Sequence, residues 1–380
     1  MPFLPLYFKV LGVEDVGEIA MWSGLSLGVT PALTAMLAPF WGRLADRYGR
    51  KIMVERSLVS FVVVMGAMAF VQRPWHVLAL RALQGFFAGY GSLTLTMAAD
   101  SAPRDRMAYS IGFVQTAQRL GPAIGPIVGG GLAQIAGLRN AFLVTACFYL
   151  VAVLLVIFMY DEQRAARSDA AAVDGRVTFR NLLAFENFIL LMVVVFGLQF
   201  VDRSFGPVLP LFVAQLGTPV SRVPIVAGVL FSIAAGAGAF GHHICGRLLR
   251  RTSARRVIAV SAASGALGAG AYVFAHGPWL LVVGTPIFGI AIGIATTATY
   301  TAATGVMPAG GRGAGFGLLT TASLTGLALS PIVSGVLGAT SIRAVFALDT
   351  VGLGALALVV SRLMIVAPLA SATAPAPEEI

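Results

Sequence analysis

Charge is what this sequence has least of. Only 11% of its 380 residues are Asp, Glu, Lys or Arg, against about a quarter in an ordinary soluble domain. A chain so poor in charge cannot cover a water-facing surface, which excludes a soluble globular domain. Cysteine is nearly missing as well. Cys147 and Cys245 both sit in apolar surroundings with no metal-ligand spacing, and both are expected to be buried, inert hydrophobes. The four histidines, His76, His242, His243 and His276, form no ligand pattern, so neither a metal nor a cofactor is expected. There is no Gly-rich loop ending in Lys-Ser/Thr, which argues against ATP as an energy source, and nothing points to an enzyme. A basic start followed by a short apolar core, the mark of a signal peptide, is also missing.

What the chain does have is apolar length. Hydrophobic residues make up 58% and glycine contributes 44 positions; the mean hydropathy is +0.87. Crossing a bilayer takes about 20 apolar residues. Eleven runs reach that length, at about 19–42, 52–71, 75–99, 107–135, 139–160, 187–213, 223–246, 256–275, 279–306, 314–339 and 342–365. Lipid offers backbone groups no outside partner, so each run is expected to be a helix. The fold expected is all-α, a polytopic membrane protein.

The 26 Lys and Arg residues sort by side. Seventeen fall on one set of loops. Five (Lys9, Arg73, Arg139, Arg222 and Arg343) fall on the other, and four (Arg56, Arg81, Arg119 and Arg203) fall within spans. The richer side is expected to be cytoplasmic. That places the C-terminus in the cytoplasm and the chain in the plasma (inner) membrane as a multi-pass protein. The net charge of +10 is spent on topology between apolar runs, so nucleic acid is not an expected partner.

Eleven residues recur. "PFLPLYFKVLG" at 2–12 and "PVLPLFVAQLG" at 207–217 are 205 positions apart. The same offset pairs Pro103 with Pro308, Pro126 with Pro331 and Gly130 with Gly335. Landmarks this widely separated at one offset predict two equivalent halves, as in transporters built from parallel repeats. The expected organisation is an N-terminal bundle at 1–160, a charged cytoplasmic linker at 161–186, a C-terminal bundle at 187–366, and an Ala/Pro-rich tail at 367–380 expected to be disordered. About twenty apolar residues precede Pro207, but only Met1 precedes Pro2. The first span is therefore expected to be truncated to its outer end, with the true start upstream or the chain a fragment.

Three motifs stand in the first half. "GRLADRYGRK" (Gly42–Lys51) has Gly42, Asp46, Arg47, Gly49 and Arg50 at the spacing of the signature loop of the major facilitator superfamily, which it resembles. Gly42 and Gly49 permit tight turns. By that resemblance Asp46 meets the start of the eleventh span near Gly313, where a helix N-terminus favours an anion, and Arg50 pairs with Asp100. The alternative is that these charges only fix orientation. "RALQG" at 81–85 resembles the family's second motif, with Arg81 facing a wet cavity or an acid, or else snorkelling to the outer end. "RLGPAIGPIVGGG" at 119–131 resembles its antiporter motif, with Gly121, Gly125, Pro126, Gly129 and Gly130 in the matching places. Small residues spaced by four serve close helix packing, which is the alternative to an exporter's signature.

Over nearly its full length the chain is similar to the twelve-span drug:proton antiporters of this superfamily, the multidrug efflux branch. The resemblance implies two pseudo-symmetric six-helix bundles and alternating access. It further implies export of small hydrophobic or amphipathic compounds in exchange for protons, by a protein expected to be a monomer. Two alternatives stand: a proton symporter importing a metabolite, and a truncated remnant that does not transport. Proton coupling needs an ionisable group at membrane depth. The candidates are Asp202, Arg81, Arg119 and Asp349, with Asp202 first. Asp202 and its neighbour Arg203 are about 100° apart round the helix and need not face each other. Asp349 could pair with Arg343 or Arg81, and Glu55 is expected to form an ion pair with the adjacent Arg56 at the cytoplasmic end. Candidate substrate-lining residues are Trp22, Phe113, Gln115, Gln199, Phe200, Phe205 and Tyr300; for each, core packing or lipid contact is the alternative.

Overall fold

The computed structural model describes residues 3–90, 93–94, 97, 107–160, 187–306 and 312–365. Among the described residues there are helices and no strand. In chain order the helices are α1 (Leu4–Val10), α2 (Val16–Tyr48), α3 (Arg50–Met68), α4 (Pro74–Phe87), α5 (Met107–Ala136), α6 (Leu138–Met159), α7 (Phe188–Gln215), α8 (Val223–Leu249), α9 (Ala254–Val273), α10 (Pro278–Val306), α11 (Arg312–Thr340) and α12 (Ile342–Leu363). Eight of them, α2 and α6 to α12, contain stretches long and apolar enough to cross a membrane. Large apolar side chains stand out on their outer faces, among them Phe158, Leu267 and Trp279, each at least three-quarters exposed, as lipid requires. Cys147 is exposed on α6 while Cys245 is buried, which corrects the expectation that both would be buried. A helix with lipid on one side exposes residues that read as core from sequence.

Several turns between helices are short and locally specified. Asp15 caps α2 by accepting from the Glu18 N–H at 2.6 Å, the usual role of an N-cap carboxylate. Gly49, at φ +101°, is the only residue between α2 and α3, a backbone conformation that glycine adopts without steric cost.

The two halves repeat each other in detail. The duplicated eleven-residue segments end α1 and α7, and each closes on a glycine of positive φ: Gly12 at +89° and Gly217 at +85°. Tyr7 of α1 packs its ring on Phe142 of α6 with centroids 4.9 Å apart, and Phe212 of α7 packs on Phe346 of α12 at 5.0 Å. Arg139, at the start of α6, donates to the Val71 carbonyl at 3.4 Å; Arg343, at the start of α12, donates to the Ala275 carbonyl at 2.9 Å. At the other end Lys51 donates to the Ile157 carbonyl and Arg255 to that of Met364. Each pair recurs at an offset of about 205 residues. The fold is two pseudo-symmetric six-helix bundles in which the first helix, α1, is only seven residues long.

Within the halves α2 packs on α4 and α8 on α10, while α3 packs on α6 and α9 on α12. Between the halves the main seams are α2 with α11 and α5 with α8, and α7 also touches α1 and α2. Lys51, Arg250 and Arg255 lie at one end of the bundle, here called the basic end, where α3 and α9 begin and α8 stops.

Candidate functional site

The seams are built on glycine. On the α2–α11 seam, a methyl group on Gly17 would meet the Ala339 carbonyl oxygen at 2.6 Å, one on Gly24 would lie 2.8 Å from the Gly335 Cα, and one on Gly28 would meet the Ala328 oxygen at 2.7 Å. On the α5–α8 seam a methyl on Gly130 would lie 2.7 Å from the Pro224 oxygen, and Gly228 abuts the Pro126 carbonyl. Pro331, the counterpart of Pro126, turns its carbonyl onto Gly24 in the same manner. All these contacts fall in the half of each helix that lies away from the basic end. Backbones can approach this closely only where side chains are missing.

Of the expected antiporter motif, Gly130 and Pro126 sit in the seam and Gly129 faces the ring of Phe3, just before α1, with a built methyl 3.3 Å away. Gly121 and Gly125 would find nothing within 4 Å. Asp100 lies outside the described residues, as do the surroundings of Gly42 and Gly313 and the side chains of Asp46, Phe113, Gln115 and Arg119. The expected clasp between Asp46 and α11, and that between Arg50 and Asp100, therefore also lie outside them.

Between the seams, α7 presents a polar face. Gln199 donates to Ser323 of α11 at 2.8 Å, and Tyr300 of α10 interacts with the same serine. Gly206 of α7 lies against Leu27 of α2. Asp202 falls between Gln199 and Gly206 at helical spacings of three and four, so the three lie on one side of α7. The Asp202 side chain is 36% exposed and its Oδ2 is 3.3 Å from Arg203 Nε. The two neighbours do pair, because a long arginine side chain spans the 100° between adjacent positions.

Arg81 is buried, which removes the snorkelling alternative. Its Nε donates to the Ser26 carbonyl at 3.2 Å, its Nη1 donates to Gln84 Oε1, and its own carbonyl accepts from Thr30 Oγ1 at 2.8 Å. It thus ties α4 to α2.

Other expectations are corrected. Glu55 is 4.0 Å from Lys51, one turn away. Arg56 turns instead to the Trp41 ring, 3.3 Å from its centroid, and donates to the Phe87 carbonyl; a guanidinium stacks on an aromatic face readily. Phe205, expected to line a substrate path, is 5% exposed and packs among Tyr272, Phe288 and Phe346 with centroids 4.8 to 5.2 Å away. Asp349 pairs with neither Arg343 nor Arg81. It is 1% exposed, and its Oδ2 lies 2.5 Å from Ser204 Oγ of α7. Trp22 donates to Glu18 at 3.2 Å and is half-buried, and Phe200 offers its carbonyl to Ser330 of α11.

The comparisons with known proteins agree with this architecture. The chain is 30% identical over 345 residues to a multi-drug resistance efflux pump PmrA homolog of Lactococcus lactis, covering 90% of this chain and 85% of that protein. It is 33% identical over 301 residues to the multidrug resistance protein MdtG of Citrobacter koseri, covering 79% and 74%. Among solved structures, a bacterial homolog of the human lysosomal transporter Spinster, in an inward-facing and occupied conformation, superposes with a TM-score of 0.76 at 17% identity over 96% of this chain and 92% of that one. The nucleoside transporter NupG gives 0.70 at 16% identity over 95% of each chain. The family model for the Major Facilitator Superfamily matches residues 1–323, and the chain belongs to that superfamily.

Proposed function

We propose that this chain exports small hydrophobic or amphipathic compounds in exchange for protons, by alternating access. The observation that carries this reading is the pair of equivalent seams, α2–α11 and α5–α8, whose backbone contacts gather in the half away from the basic end. Two lobes hinged in this way can rock, opening one end of the groove between them as the other closes. With the basic end facing the cytoplasm, the present arrangement admits cargo from inside, and the C-terminus is cytoplasmic. The efflux relatives at 30% and 33% identity support export over import. The linker and tail divide the chain at 161–186 and after 366.

Cargo binds on the junction face of α7, with Gln199, Tyr300 and Ser323 as polar contacts in a largely apolar groove. Asp202, partly exposed on that face, takes up and releases the proton, and Arg203 supplies its counter-charge. Arg81 holds α4 on α2 during the movement. The energy suffices: one charge moved through 100 mV contributes about 2.3 kcal/mol, and one pH unit adds about 1.4 kcal/mol per proton.

The test is accumulation of a permanently charged fluorescent dye in cells with and without the gene. The reading expects lower dye content with the gene, reversed by a proton uncoupler. Uncoupler-insensitive extrusion, or dye uptake driven by the gradient, contradicts it.

A further inference from the structure

Asp349 and Ser204 form a second polar site, away from the groove. Asp349 belongs to α12 and Ser204 to α7, and both are buried, at 1% and 0% exposure. They adjoin an aromatic cluster in which Phe205, next to Ser204 in α7, and Phe346, one turn before Asp349 in α12, pack on each other and on Tyr272. Asp349 Oδ2 lies 2.5 Å from Ser204 Oγ, while Oδ1 is buried without a hydrogen-bond partner. Ser204 Oγ is also 2.8 Å from the Val201 carbonyl one turn back.

These distances pose a question of proton count. A serine hydroxyl has one hydrogen to give and two lone pairs to accept with. It faces two acceptors if Asp349 is ionised, and one contact must then go unmade. A protonated Asp349 resolves this: its Oδ2–H donates to Ser204 Oγ, and the serine donates to the Val201 carbonyl. It also leaves Oδ1 as a neutral carbonyl oxygen rather than part of an unpaired buried charge, which is far costlier.

No other charge answers for Asp349 among the described residues. On α7, Asp202 and Arg203 pair with each other. On α9, the Tyr272 hydroxyl is engaged with Thr285 of α10. On α12 itself, Arg343 donates to the Ala275 carbonyl. From Gly315 to Thr340, α11 carries no charged residue. On α8, Cys245 faces the Ile294 carbonyl.

We propose that Asp349 is a proton-binding site distinct from Asp202, and that Ser204 transmits its charge state to α7. The proton comes from water and returns to water. On its loss, Ser204 turns its hydrogen from the Val201 carbonyl to the carboxylate. That exchange happens at a soft place in the helix. Pro207 and Pro210 lie inside α7 and cannot donate to the carbonyls of Arg203 and Gly206, so the turn around Ser204 lacks ladder bonds. α7 also borders both seams' lobes, touching α2 and α11. The inference rests on the proton-coupled reading and gives α7 a link between proton and lobe position.

The test is infrared difference spectroscopy of the purified full chain between acid and alkaline pH. The wild type should show the carbonyl band of a protonated carboxylic acid that vanishes on the alkaline side. Asp349→Asn should lose the band shifted by Ser204→Ala, and Asp202→Asn should keep that band while losing any separate band of Asp202. Ser204→Ala should shift the Asp349 band, since the acceptor of the acid proton is gone. No band lost in Asp349→Asn, or a lost band that in the wild type persists across the pH range, overturns the proposal. Should Asp349→Asn fail to accumulate, an unshifted band in Ser204→Ala overturns it equally. The outcomes separate from the export reading. Uncoupler-insensitive dye extrusion with the band titrating removes the exporter and leaves the site; gradient-driven extrusion without an Asp349 band does the reverse.

Discussion

Gly24 of α2 and Gly335 of α11 meet backbone to backbone, so close that a methyl group on Gly24 would lie 2.8 Å from the Gly335 Cα. If this contact closes one end of the groove, Gly24→Leu forces the lobes apart there. Overpacking of this kind costs about 1–3 kcal/mol. The expected result is a lower melting temperature in detergent together with loss of dye extrusion. Gly121→Ala, where nothing lies within 4 Å, should change neither. Equal effects from both variants would show that the seam is not the closing contact.

Arg343 pins the start of α12 to the end of α9 through the Ala275 carbonyl, as Arg139 pins α6 to the end of α3 through Val71. Arg343→Gln should cost about 1 kcal/mol, the net worth of one hydrogen bond, with Arg139→Gln similar or smaller given its longer contact. Thermal melts of the two single variants and the double variant check this. Additive losses are expected, since the clips lie in separate lobes.

Phe205 belongs to the core of the second lobe. Phe205→Ala should lower stability by about 3–5 kcal/mol, as buried aromatic truncations do. Phe205→Leu should restore most of it without altering which dyes are extruded. A changed dye profile in Phe205→Leu would return this residue to the substrate path.

Arg81 acts through a fork, giving Nε to the Ser26 carbonyl and Nη1 to Gln84. A lysine cannot fill both directions. Arg81→Lys should therefore destabilise the α2–α4 contact and lower extrusion several-fold, with expression retained. Near-normal extrusion by Arg81→Lys would mean that only the charge matters.

The repeat and the helices were legible because prolines and glycines leave a mark at a fixed offset whatever surrounds them. Pro126 and Pro331 occupy matching seams, and Gly12 and Gly217 share a backbone conformation for this reason. The arginine clips were not legible: their acceptors are carbonyls of Val71 and Ala275, and any residue supplies a carbonyl. Phe205 reads as groove-lining because, short of the terminal Gln215, the polar residues of α7 are confined to the stretch from Gln199 to Ser204 and apolar ones fill the rest of the helix, so periodicity does not separate the face toward the groove from the face toward the core. The burial of Asp349 was hidden for a different reason. Its partner, Ser204, lies 145 residues away, and only the packing of α7 on α12 brings them together.

Exchange of cargo for protons is read out in one experiment with proteoliposomes holding the purified chain. A pH gradient is imposed, and a permanently charged dye is followed together with internal pH. The dye should move uphill into the acidic compartment while protons flow the other way, and both should stop when the gradient is collapsed. Dye movement at the same rate without a gradient, or with no accompanying proton flux, would contradict it.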